Sequence, residues 1–194
     1  AKNRDEIYAK LTRFVRSRWF EPPFGGEVLD AMLLDAFAAM AAGPQGPRLL
    51  PDEQPLDLFV TVTDFSGHPE ELPIHSPPMI VETEHRLTLS FRDAPGQMAQ
   101  LGEIPGLVFA ARATASFPGA FPPFTVGELD RALATAGMEW PERADFLARV
   151  LPRQVAAGTA ETTALIDGSV LANAPFRPAI DALRDRPARR VARA

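Results

Sequence analysis

The run Leu56-Asp57-Leu58-Phe59-Val60-Thr61-Val62-Thr63 constrains this chain most, because a nearly continuous apolar, β-branched segment suits an interior strand covered on both faces. Such a strand needs helices to cover it, and apolar stripes at helical spacing supply them. Asn3 with Glu6 reads as a capping pair ahead of Ile7, Leu11, Phe14, Val15 and Trp19, which predicts a helix over 4–19. Its other side, with Lys10, Arg13 and Arg16, reads as a solvated face. Leu29, Met32, Leu33, Ala36, Phe37 and Met40 mark a second helix, stopped by Gly43-Pro44. A third, rich in small residues, spans 104–115, and a polar helical insertion with Phe146, Leu147 and Val150 on its packing side spans 127–152. Residues 79–84 and 85–92 alternate like a hairpin or a pair of edge strands. With no internal repeat or linker, strands separated by helices predict one α/β layered domain over 1–194.

The 194 residues, 46% of them hydrophobic, are enough to bury a sizeable core. The 20 prolines fall between apolar segments and read as loop punctuation. A net charge of -5 gives no reason to expect nucleic acid, and the basic run from Arg184 to Arg193 reads as a solvated helix face or a continuation. Cysteine is absent, which excludes disulfides and thiolate metal sites. The first residues lack the apolar core of a signal peptide and no run is long enough to span a bilayer. Localisation stays open, with a cytoplasmic setting favoured.

The candidate for chemistry is Asp167, in Ala164-Leu165-Ile166-Asp167-Gly168-Ser169. Three apolar residues read as a strand end, Gly168 as a tight turn, and Asn173 with Pro175 as the opening of a helix. The competing reading is that Asp-Gly is only a turn. Asp64, in Asp64-Phe65-Ser66-Gly67, also stands at a strand end and reads as a turn-capping residue. Thr114 and Ser116 carry hydroxyls, but bonding back to the helix before Pro118 is the simpler role. Glu82, Glu84 and His85, with His68 or His75, match no helical His-Glu metal motif, so no metal is expected. Phe117, Phe121 and Phe124 would either line an apolar groove or close the core.

Two of these stretches, Leu107 to Phe124 and Asp167-Gly168 with Asn173-Ala174-Pro175, resemble the bacterial patatin-related branch of the patatin-like phospholipase family. The match is specific over 112–124 and 165–180 and looser over 24–91. The resemblance implies a layered patatin-like α/β fold, with a mostly parallel sheet, helices on both faces and an incomplete N-terminal side. It also implies a lipid acyl-ester substrate, no cofactor, and a Ser-Asp dyad in which Asp167, Gly168 and Ser169 stand at the Asp-Gly-x motif. Such a dyad requires a partly desolvated aspartate. The serine of the family stands in a Gly-x-Ser-x-Gly elbow. None of Ser17, Ser66, Ser76, Ser90, Ser116 and Ser169 has glycine at both offsets, and the family's glycine-rich oxyanion loop is absent as well.

The chain therefore reads as a central part of such a protein, carrying the base but not the nucleophile and inactive alone. Two other readings stay open: a non-catalytic binding or assembly scaffold, and hydrolysis through Ser116 or Ser169, which lacks a base or oxyanion motif nearby. An incomplete sheet would leave an open edge through which copies could associate.

Overall fold

The computed structural model describes residues 25–44, 46–47, 50–51, 54–93, 101–172, 174–184 and 186. The helix expected over 4–19 lies outside them, as does Asn173. The elements run α1 (Gly26–Ala42), β1 (Leu56–Pro73), β2 (Met79–Asp93), α2 (Ile104–Thr114), α3 (Val126–Ala136), α4 (Arg143–Val150), α5 (Pro152–Ala156), β3 (Leu165–Asp167), a 3-10 turn (Gly168–Val170) and α6 (Phe176–Arg184).

The strand order is β2-β1-β3, and both pairings are antiparallel. This overturns the mostly parallel, patatin-like layered sheet. The physical reason is connection length: only Ile74–Pro78 separates β1 from β2, and a parallel pair needs a crossover of a dozen residues or more. The apolar run at 56–63 does form the central strand, but its neighbours are a hairpin partner and a three-residue strand. The segments 79–84 and 85–92 are one continuous strand, β2.

Register places Leu58, Val60 and Val62 opposite Phe91, Leu89 and Leu87, so these six share one face. α2 packs on β1 and β3, and α1 packs on α2 and α3. Between helices and sheet lies one core, with Val62, Leu89, Phe91, Val108, Phe109, Phe124, Leu129 and Leu165 nearly sealed from solvent. Phe109 is its aromatic centre. Its ring meets Phe124 at 5.2 Å and Phe146 at 5.3 Å, both edge to face. The helices within 127–152 contribute Leu129, Leu133, Phe146, Leu147 and Val150 to this same core.

α1 forms where its apolar stripe predicts, and Leu33 and Phe37 of that stripe pack against the core, but the fully buried line is Gly26, Asp30 and Leu34, while Met32 and Met40 are exposed. The cause is a guanidinium, described below, that draws Asp30 inward.

Candidate functional site

β3 is short, and what fixes it is close backbone contact on both sides. It pairs Val62 with Asp167, Thr63 with Ile166 and Asp64 with Leu165. On its other side Leu165 and Phe124 exchange two 2.8 Å backbone hydrogen bonds. The turn after it is set by Gly168. A Cβ there would lie 2.3 Å from the Thr61 carbonyl carbon and oxygen, and backbone cannot yield as a side chain can, so only glycine lets the turn lie this close to β1.

Asp167 is half-buried at this junction. Its backbone N–H donates to the Ser116 carbonyl at 3.1 Å, its carbonyl accepts from Thr63 Oγ1 at 3.2 Å, and its Oδ1 accepts from the Ser169 N–H at 2.8 Å. The Asp-Gly-Ser segment is therefore a side-chain-closed turn. Among the described residues no hydrogen bond reaches Asp167 Oδ2.

The segment holding Ser116 is anchored by a buried ion network. Arg112 is fully buried, with Nε 2.9 Å from Asp30 Oδ1 on α1 and Nη2 2.9 Å from Glu128 Oε1 on α3. Its Nη1 donates to Ser116 Oγ, and the guanidinium lies 5.3 Å from the Phe124 ring centre. Desolvation, with the Glu128 carboxylate adding to it, pushes Asp30 up to about 7 despite Arg112. Ser116 Oγ donates in turn to the Arg112 carbonyl at 2.9 Å, the back-bonding role expected for it, and the residue is fully buried. A hydroxyl so committed and sealed is not placed to attack a substrate. Ser169 is exposed, and its N–H serves the Asp167 turn. Of the three phenylalanines, Phe124 closes the core, Phe121 is half-buried and Phe117 is exposed.

Asp64 occupies a separate place. Its carboxylate caps the turn after Thr63, with Oδ1 accepting from Ser66 N–H at 3.0 Å and Gly67 N–H at 3.1 Å. Oδ2 accepts from Gln154 Nε2 of α5 at 2.8 Å, and that nitrogen lies 3.3 Å from His68 Nδ1. The Gln154 amide thus lies between the Asp64 carboxylate and the His68 ring. His85 Nδ1, 2.8 Å from the Asp64 carbonyl, must carry its own proton to donate there. Asp64, His68 and Gln154 line an open cleft of about 890 Å³. Sequence reasoning missed Gln154, since a glutamine that meets an aspartate ninety positions away leaves no local pattern.

Glu84 is held by Arg86 at 2.9 and 2.6 Å, and this pairing lowers it to about 2. Among the described residues, no three His, Asp or Glu side chains converge as a metal site requires. A second cleft, of about 750 Å³, is mainly apolar; Phe37, Leu58, Val60, Leu101, Ile104 and Leu107 are among the residues lining it. Val60 stands two residues before Val62, the register partner of Asp167.

No family model matches the chain. It is 28% identical over 177 residues to an uncharacterized membrane protein of Mycobacterium tuberculosis (strain ATCC 25618 / H37Rv). The alignment covers 88% of this chain, which spans 15% of that relative's length. No solved structure matches. Among the described residues no helix is long and apolar enough to cross a membrane.

Proposed function

We propose that this chain carries the acid–base residue of a serine acyl-ester hydrolase of the patatin-like type, with Asp167 accepting the proton of a serine supplied from outside 1–194. The serine oxygen attacks the ester carbonyl as its proton passes to Asp167, and backbone N–H groups outside this chain stabilise the oxyanion. On collapse the leaving alcohol takes that proton. Water then hydrolyses the acyl-enzyme, with Asp167 again the base.

One observation carries the reading: the two stretches that resemble the family meet in space, through Asp167 N–H on the Ser116 carbonyl and the Phe124–Leu165 bridge. The apolar cleft on the Val60 face has room for an acyl chain. The reading rests on this juxtaposition and not on the sheet, whose pairing differs from the resembled fold.

The test is hydrolysis of a short-chain p-nitrophenyl ester by this chain, by a native polypeptide extended to include a Gly-x-Ser-x-Gly segment, and by Asp167→Asn in the extended form. Activity is expected only in the extended form, falling by roughly 100-fold or more in the variant. Activity that survives Asp167→Asn, or that the 194-residue chain shows alone, would overturn the proposal. The engagement of Oδ1 by the Ser169 N–H favours the alternative, a non-catalytic scaffold in which Asp167 only closes a turn. An inactive extended form would support it.

A further inference from the structure

α6 packs on β1 with its amphipathic character reversed. Pro178 and Ala182, on one side, are half-buried, while Phe176, Ile180 and Leu183, spaced i, i+4 and i+7 on another, are 72%, 57% and 67% exposed. The helix is held in this orientation just past its end. Arg186 donates to the Pro55 carbonyl and pairs with Asp57, a carboxylate already bonded by Arg92 across the sheet. Val170 and Leu171, upstream of α6, are exposed too.

The charge on the described residues of this segment is positive: Arg177, Arg184 and Arg186 stand against Asp181, a net +2 in a chain whose total is -5. At helical spacing Arg177 and Arg184 flank the apolar line on one side, where long stems can lie along apolar surface and place their charge outward. Arg184 is 77% exposed, with its only described ion pair a 3.3 Å contact to Asp181 in the same helix.

We infer that this face of α6 is a docking surface for an anionic lipid bilayer, into which Phe176, Ile180 and Leu183 insert while the flanking arginines meet lipid phosphates. A helix in the interface plane needs this combination of bulky apolar residues on one face, cations at its margin and low overall hydrophobicity. A second copy fits less well. α6 is about 14 Å long and about 10 Å wide, so its face covers on the order of 140 Å² against about 800 Å² per partner in a standard protein interface. Two such faces would also bring arginines against arginines.

The test is co-sedimentation of the 194-residue chain with phosphatidylcholine vesicles and with vesicles containing about a quarter phosphatidylglycerol. Binding is expected to the anionic vesicles alone, and to fall as NaCl rises from about 0.05 M to about 0.5 M. Ile180→Glu and Leu183→Glu should each weaken it by about 10-fold or more, with melting temperatures within about 2 °C of the parent. Asp167→Asn should bind like the parent, so the result stands apart from any hydrolase activity. Four outcomes would overturn the inference: no binding to either vesicle, binding that Ile180→Glu does not weaken, self-association that Ile180→Glu abolishes without lipid binding, and a large fall in melting temperature in both variants, which would show the face covered by protein.

Discussion

Gly168 is the residue whose identity the geometry restricts most. Its neighbour on β1 is the Thr61 backbone, with an added Cβ only 2.3 Å from the carbonyl carbon and oxygen. Gly168→Ala must therefore push β3 away from β1, and should cost about 1–3 kcal/mol, at the upper end of overpacking because no flexible side chain can yield. Urea titration reads this, and an unchanged midpoint would show that the turn does not sit where described. The Asp-Gly turn was legible in sequence because its hydrogen bond spans two residues. Asp64 was legible for the same reason. What Asp167 and Asp64 meet beyond their own turns was not: the Ser116 carbonyl and the Gln154 amide arrive from distant segments whose hydrogen bonds impose no periodicity.

Between elements, the contact that decides most is the Arg112 guanidinium joining α1, α2 and α3. It explains why α1 turns Asp30 inward and leaves Met32 and Met40 in solvent, against the hydrophobic stripe. Hydropathy located the helix and part of its packing face, since Leu33 and Phe37 meet the core, but missed the buried line of Gly26, Asp30 and Leu34 beside them. Strand pairing failed for another reason: a continuous apolar run reports burial on both sides and says nothing of direction, whereas the short Ile74–Pro78 link dictates a hairpin. The network also predicts a pH dependence. Asp30 is raised from 3.8 unfolded to about 7 folded, so the native state binds the extra proton between those values. Its contribution is fully present below the unfolded value and is lost as pH rises through about 7. Asp57 and Glu84, both lowered by their arginines, act oppositely, and their stabilisation is lost as pH falls through their folded values. Stability should therefore peak at about pH 4, where the gain from Asp57 and Glu84 gives way to the loss from Asp30. In Asp30→Asn the decline between about pH 4 and about pH 7 should flatten; an equal decline in parent and variant, followed by urea midpoints, would remove Asp30 as its source.

At the scale of the whole molecule, the question is whether 127–152 folds as a unit of its own or as part of the rest. Read in sequence it is a polar stretch with one apolar side, and polarity alone suggests a separate appendage. Its large apolar residues, however, enter the shared core or pack against it: Leu129 is sealed, and Phe146 is 5% exposed with its ring against Phe109 at 5.3 Å and Phe91 at 6.1 Å. Phe91 belongs to β2 and Phe109 to α2, so removing one ring on α4 opens a cavity facing both the sheet and a helix. Phe146→Ala should cost about 3–5 kcal/mol, a large share of the ~5–15 kcal/mol that holds a domain of this size folded. Because the core is continuous, that loss should appear as a downward shift of one calorimetric transition, with helix and strand signals lost together. An appendage would behave differently: Phe146→Ala would split off a low-temperature step and leave the transition of the sheet where it was.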